Sequence, residues 1–228
     1  MITNQHKGGT KWAIMPNGGI ALEDGLAHCS AGLRRMLTVA KNVKGFEVLR
    51  TTGTPTTMQT LKAQHGGAIR EASQEFDVPE HWIAGMIAIE AVRIKGTVEM
   101  DVFSLRDEDG RNFARYQERP RRVSAGLMQT LLSTARMMAA SVDLCPHFAG
   151  DPEELDVGHL CVPAISIKLG TAYMAHQGNR YGEDPILLVG AYNAGGVYTD
   201  SKNPWNIRTY GQDRIPKFVA YANDWLAL

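Results

Sequence analysis

The stretch from Val78 to Val92, V-P-E-H-W-I-A-G-M-I-A-I-E-A-V, constrains this chain more than any other. Pro79 suits the first turn of a helix and Glu80 complements its positive end, and Trp82, Ile83, Met86 and Ile87 then recur at helical spacing. Glu90 continues that stripe, one heptad after Ile83, so its carboxylate is expected on the apolar side. The opposite face carries Ala84, Ala88 and Ala91, small enough for a second element to approach closely, and the helix is expected to be buried nearly all round. A carboxylate in apolar surroundings has its charged form disfavoured, so it can hold a proton near neutrality and act as a general acid. The competing reading is a helix-terminal glutamate that pairs with Arg93 at i+3 or reaches solvent at the rim of the core.

A chain of 228 residues with 44% apolar content can bury a real core as one domain, or as one domain with an appendage. Lysine plus arginine balances aspartate plus glutamate at 24 each, so no overall field steers the protein to nucleic acid or an anionic membrane. The arginine-rich run Arg115 to Arg122 reads as a solvated loop, and no nucleic-acid partner is expected. The longest apolar runs, Ile83 to Ile89 and Ile186 to Ala191, fall far short of the ~20 residues that span a bilayer, so no membrane insertion is expected. Met1 to Trp12 is polar and lacks the apolar core of a secretory signal. Three cysteines, Cys29, Cys145 and Cys161, are too few for a disulfide framework. Cys145-Pro-His147 and His159-Leu-Cys161 form a mirror-image pair, but the spacing matches no common zinc pattern. Ordinary loop residues or a Cys145 to Cys161 disulfide are the alternatives, and neither metal nor organic cofactor is expected.

Along the chain, Lys11 to Leu22 reads as two short strands around Pro16-Asn17-Gly18-Gly19. Ser30 is expected to cap a helix with the stripe Leu33, Met36, Leu37, Ala40 and Val43, closed by Gly45. Phe46 to Leu49 reads as a strand and Arg50 to Thr57 as a linker. The expected division is therefore a small N-terminal α/β appendage with its linker over residues 1–55, either packed on the rest or serving as a wall-binding module, and a helical domain over residues 56–228. Its helices are expected at Met58 to Phe76 (loosened at Gly66-Gly67), Pro79 to Ile94, Ala125 to Ser141, Pro163 to Asn179, Pro185 to Ala194 and Ile215 to Leu226. Lys95 to Val123 is a long polar connection, and loops of that length are often functional.

Three segments carry chemistry. Behind Glu90 comes Ser124-Ala125-Gly126-Leu127-Met128-Gln129, which sets an amide in an apolar run, and later Ala191-Tyr192-Asn193-Ala194-Gly195, which sets a phenol and an amide at the end of an apolar helix. A buried acid with hydrogen-bonding groups at helix ends suits a carbohydrate cleft, where an acid protonates a glycosidic oxygen. With GLMQ and AYNAG following Ile87-Ala88-Ile89-Glu90 in that order, the chain over Thr57 to Trp225 resembles the lytic transglycosylases, goose-lysozyme-like enzymes that cleave peptidoglycan.

The resemblance implies a mainly α, lysozyme-like fold. It implies that Glu90 is a single acid and base, protonating the leaving oxygen between N-acetylmuramic acid and N-acetylglucosamine and then deprotonating the muramic 6-hydroxyl, which closes a 1,6-anhydro end. Gln129 and Tyr192 match cleft residues that position acid and sugar, Asn193 fixes its turn, and Met128 and Ser124 belong to the same substrate-binding set. Ala91 stands where the family often has serine, and Ser124 lies closer to GLMQ than the family's cleft serine does. The connection after Glu90 is longer than usual and holds Glu99, Asp101, Asp107, Glu108 and Asp109. Glu108 or Asp101 is thus a candidate second acid that would activate water and give a hydrolytic muramidase, while pairing of Glu108 with Arg106 is the simpler alternative. Tyr116, Trp205 and Tyr210 lie in loops where rings either stack on sugars or close the core. By analogy, the chain is expected to act as a monomeric phage endolysin or virion-associated lysin. It would be made in the host cytoplasm and reach peptidoglycan through a holin or with the particle. A non-catalytic peptidoglycan-binding virion protein is the remaining alternative.

Overall fold

The structure, a computed structural model, describes residues 1–93, 100–101, 105–107 and 123–228, with side chains outside the span 92–122. The described residues are largely helical with a small N-terminal sheet, and they cluster into two compact units. One comprises Met1–Gln59, Ala84–Ile89 and Gln177–Leu228, the other Thr60–Ile83 and Glu90–His176.

The first unit is built on an antiparallel sheet of β1 (Ile2–Asn4), β2 (Trp12–Ile14), β3 (Ile20–Glu23), β4 (Leu37–Val43) and β5 (Phe46–Thr51), in the order β1-β2-β3-β5-β4. The expected hairpin around Asn17-Gly18 is present, with Trp12 paired to Leu22 and Ile14 to Ile20. The expected long helix after Ser30 is not. Ser30 does cap a helix, its hydroxyl accepting from the Leu33 backbone, but α1 (Ala31–Arg34) lasts one turn and the chain then enters β4. Leu37, Val39 and Val43 fit a strand's alternation as readily as a helix's stripe. Lys44 and Gly45 at φ 55° and 86° then make the two-residue turn that a hairpin with β5 requires, leaving Val43 opposite Phe46. β5 also extends to Thr51, into the stretch expected as linker.

Helix α8 (Arg214–Leu226) lies against β3 and β5. Where those two strands diverge, Asn223 enters with an amide that accepts from Ile20 N at 2.9 Å and donates to Ile20 O at 2.8 Å and Leu49 O at 2.9 Å. The next residue, Asp224, is fully buried, and its carboxylate takes Arg50 Nε at 2.8 Å, Thr51 N at 3.2 Å and the Thr51 hydroxyl. Asp213, just before α8, accepts from the Ser30 backbone at 2.8 Å and from its hydroxyl. Asp184 acts likewise on α7 (Pro185–Ala194): it caps Ile186 N and Leu187 N while accepting from Trp12 Nε1 at 2.9 Å and from Asn4. Residues 1–59 are therefore not a compact unit by themselves but share one with the C-terminal helices.

α2 (Thr56–Phe76), in the second unit from Thr60 onward, runs through Gly66-Gly67 without a break, and its last residue, Phe76, packs on a core with α4 (Leu132–Ala139), α5 (Val157–Leu160) and α6 (Pro163–Tyr181). α3 (Glu80–Glu90) ends at Glu90 rather than Ile94, because the chain turns into β6 (Val92–Arg93), paired with β7 (Met100–Asp101). The helix expected from Ala125 to Ser141 begins only at Leu132. Before it, β9 (Val123–Ala125) pairs with β10 (Thr130–Leu131) and with β8 (Leu105–Asp107), so part of the long connection is strand. Gly126 at φ +73° and Gln129 at φ +46° are incompatible with a helix there. As expected, α3 is buried almost throughout, from Trp82 to Ala88.

Asp224→Ala strands Arg50 and two Thr51 donors in a buried site, and is expected to lower unfolding free energy by about 3 kcal/mol in chemical denaturation, with Asp224→Asn costing less. His65, on α2, is half-buried, and burial lowers its pKa below the ordinary 6.5. Its contribution is complete above that ordinary value and is lost as pH falls through the window below it, because the unfolded chain then binds the proton more readily. His65→Gln should therefore flatten the acid limb of a plot of melting temperature against pH.

Candidate active site

Glu90 is the last residue of α3 and is 6% exposed, so the end of an apolar helix carries a carboxyl almost removed from water. Arg93 lies in β6, past the end of the helix, and its side chain lies outside the described residues. β7 returns antiparallel to β6 and sets the backbone of Asp101 opposite Val92. The side chain of Asp101 lies outside the described residues, as do Tyr116 and Glu108 altogether.

Ser124, Met128 and Gln129 share the β9–β10 hairpin of the second unit. Its four-residue turn, Gly126 to Gln129, closes with Gln129 N donating to Gly126 O at 3.1 Å. The Gln129 amide folds back over that turn: Nε2 donates to Gly126 O at 2.8 Å, and Oε1 accepts the Ser124 hydroxyl at 3.4 Å. Met128 N donates to Ser166 Oγ of α6 at 3.1 Å. Two glycines let this turn sit where it does. A Cβ on Gly126 would lie 1.9 Å from the Leu160 carbonyl oxygen and 2.6 Å from Ser166 Oγ, and one on Gly170 of α6 would lie 2.5 Å from Met128 Cβ. Ser124, Met128 and Gln129 are all buried, so the hairpin presents a fixed amide rather than a mobile one.

Tyr192 and Asn193 belong to the first unit. α7 spans the expected residues and ends in Gly195 at φ +75°, the left-handed closure that Gly supplies. Tyr192 is buried. Asn193 is half-buried, and its Oδ1 accepts from Tyr210 N at 3.0 Å, tying the following loop back to the helix. Gly190 admits that loop as well, because a Cβ there would lie 2.5 Å from Ile207 Cγ2. The ring of Tyr210 is 68% exposed, whereas Trp205 is fully buried and closes the core.

The structure thus brings Ser124, Met128 and Gln129 together in one unit, which also holds Glu90, and Asn193 and Tyr210 together in the other with Tyr192. Sequence reasoning passed over Ser166, Gly170 and Gly190. The glycines left a trace, since a mid-helix glycine gives up about 1 kcal/mol against alanine and implies a packing reason; Ser166 left none.

The remaining reactive groups lie elsewhere. Burial, with Asp213 and Glu47 adding, pushes the Cys29 thiol up to about 11, and its hydrogen bond with Asp143 raises Cys145, so neither favours the thiolate. Cys145 and Cys161 are not joined in a disulfide, and His159 caps α5 reciprocally with Asp156. Among the described residues no group of three or more histidines, cysteines and acids could hold a metal ion, and no helix is long and apolar enough to cross a membrane.

Comparison with known proteins adds three findings. The family model for the transglycosylase SLT domain matches residues 67–215, a span that contains Glu90, Gln129 and Tyr192. A putative soluble lytic murein transglycosylase of Haemophilus influenzae is 34% identical over 95 residues, covering 42% of this chain; the chain spans only 14% of that relative's length. A solved structure of an inactive mutant of lytic transglycosylase Slt from Pseudomonas aeruginosa aligns over 59% of this chain and 18% of its own, at 19% identity and a TM-score of 0.42.

Gly170→Ala should reverse the usual sign of its substitution. A mid-helix Gly→Ala change ordinarily stabilises by about 1 kcal/mol, but here it is expected to destabilise by about 1 to 3 kcal/mol as Met128 is displaced. A thermal melt at or above that of wild type would contradict the packing of the turn on α6.

Proposed function

The chain belongs to the transglycosylase SLT domain family, and on that premise we propose that it cuts the β-1,4 bond between N-acetylmuramic acid and N-acetylglucosamine in peptidoglycan, with Glu90 as its single acid and base. The observation that carries the reading is the buried carboxyl of Glu90 at the end of an apolar helix, inside the matched span and followed in order by the GLMQ turn and the AYNAG helix end. In the forward step the protonated carboxyl gives its proton to the glycosidic oxygen as the bond to the anomeric carbon breaks. In the second, the carboxylate removes the proton of the muramic 6-hydroxyl, whose oxygen bonds to that carbon. The products are a 1,6-anhydromuramic end and a free N-acetylglucosamine hydroxyl, no water is consumed, and the acid is restored. Burial of Glu90 favours this closure over hydrolysis.

In this proposal Gln129 and Tyr192 orient acid and sugar, with Ser124 and Met128 setting Gln129, Asn193 setting the loop that bears Tyr210, and Tyr116 as a further contact. A hydrolytic outcome has one supporting observation, the backbone of Asp101 opposite Val92, two residues past Glu90. Should that carboxylate face the acid across a sugar, it would activate water; Glu108 is the other candidate for this role. By analogy of organisation alone we extend the proposal to a monomeric bacteriolytic phage lysin, released through a holin or carried in the virion, with residues 1–55 contributing to wall binding and residues 56–228 to catalysis.

Glu90→Gln is expected to keep its fold and its binding to sacculi while losing at least about 100-fold in lytic rate. Mass spectrometry of digested sacculi decides the chemistry: muropeptides lighter by one water support closure, and reducing ends support hydrolysis. Clearing of cell walls by the variant at the wild-type rate would refute the role of Glu90.

A further inference from the structure

Around Gly196, directly after the AYNAG helix end, the first unit gathers a row of side chains that the cleavage chemistry does not use. Arg180 sets its guanidinium 5.1 Å from the centre of the Tyr181 ring, and Arg208 sets its own 5.7 Å from that of Tyr198. The two tyrosines converge on Gly196: a Cβ there would lie 2.8 Å from the Tyr181 hydroxyl and 3.3 Å from two atoms of the Tyr198 ring. The order across the surface is thus Arg180, Tyr181, the Gly196 notch, Tyr198, Arg208. Both arginines are exposed, Tyr198 is 49% exposed, and Gly196 is buried.

The row is supported from beneath. Arg180 donates to Gln177 Oε1 at 3.3 Å and reaches Gly195 O at 3.5 Å, so its fork is aimed along the helix end. Arg208 N donates to Tyr198 O at 2.8 Å and Asp200 N to Asn206 O at 3.4 Å, which makes residues 198–208 a closed loop with the arginine and tyrosine facing across it. Two buried side chains anchor that loop, Ile207 in the space left by Gly190 and Trp205 edge-on to the His28 ring with centroids 5.5 Å apart, and the backbone at Trp205 packs on Gly9. Among the described residues neither arginine has an acidic partner. Two guanidiniums are therefore held on ring faces with donors to spare and, among the described residues, no carboxylate beside them, on a platform anchored by buried side chains.

We infer that this row, Arg180–Tyr181–Gly196–Tyr198–Arg208, binds the carboxylates of the peptide branches that hang from the glycan, so that the enzyme reads peptide-bearing strands in preference to bare ones. The inference rests on the proposed cleavage of peptidoglycan. Planar guanidinium forks match carboxylates in a bidentate way, the tyrosine faces suit the short apolar side chains between successive carboxylates of a peptide, and the uncharged sugar backbone offers the arginines nothing comparable. The middle of the row, Gly196, comes one residue after Gly195 and lies in the same unit as Tyr192, which puts a branch bound there next to the AYNAG helix end.

The test compares intact sacculi with glycan strands stripped of their peptides by an amidase, using wild type, Arg180→Gln, Arg208→Gln and the double variant. Each single change is expected to raise KM on peptide-bearing strands by about fivefold more than on stripped strands, with kcat little altered, and added salt should shrink the wild-type preference. Equal effects on the two substrates, or no effect, would overturn the inference. Product analysis of wild type keeps the two ideas apart: loss of all cleavage products would sink the proposed reaction, whereas normal products with an unchanged KM ratio would sink only the role of the arginines. Should a variant melt early, Arg→Lys substitutions at the same positions, which retain charge but not the fork, are expected to fall between wild type and glutamine.

Discussion

Two adjacent side chains near the C-terminal end of α8 hold the first unit together. Asn223 completes hydrogen bonds that β3 and β5 cannot make with each other where they separate, and Asp224 collects three donors from Arg50 and Thr51 in a site closed to water. A buried amide or carboxylate is favourable only when nearly all its partners are present, so these contacts act together or not at all. Asp184 and Asp213 repeat the device at the starts of α7 and α8. Four polar side chains late in the chain thus fasten strands and turns formed at its beginning. The AYNAG helix end belongs to a unit whose sheet is contributed almost wholly by the first fifty residues.

Periodicity alone could reveal neither this fastening nor the strand after Arg34. Leu33, Leu37, Ala40 and Val43 satisfy a helical spacing, and Leu37, Val39 and Val43 satisfy a strand's. What decides is Lys44-Gly45, whose two positive φ values commit the chain to a hairpin, and the presence of β5 to receive it. The same ambiguity governs Ser124 to Leu131, where a run apolar enough for a helix is bent by Gly126 and Gln129 into a turn between strands. By contrast α7 was legible to the residue, because Pro185 and Gly195 mark its ends chemically.

Glu90 illustrates both sides of that limit. Its place on the apolar stripe of α3 is readable from spacing, and its burial follows from the core around it. The turn into β6 immediately after it is not readable, because it depends on pairing with residues from β7. The amide of Gln129 was expected on a helix face. It instead lies over its own turn, oriented by Ser124 and Gly126, a geometry that needs backbone angles no propensity scale assigns to glutamine. Asn193 works in the opposite direction, using its side chain to hold a neighbouring loop at Tyr210.

The seam between the GLMQ turn and α6 also bears on portability. Gly126, Met128, Ser166 and Gly170 interlock so closely that the orientation of the Gln129 amide is inherited from a helix some forty residues downstream. Grafting the four-residue turn onto another scaffold would transfer its letters without its geometry. Serine and glycine at matching positions of a supporting helix must travel with it, and sequence drift in one half of the seam is tolerable only if the other half drifts in step.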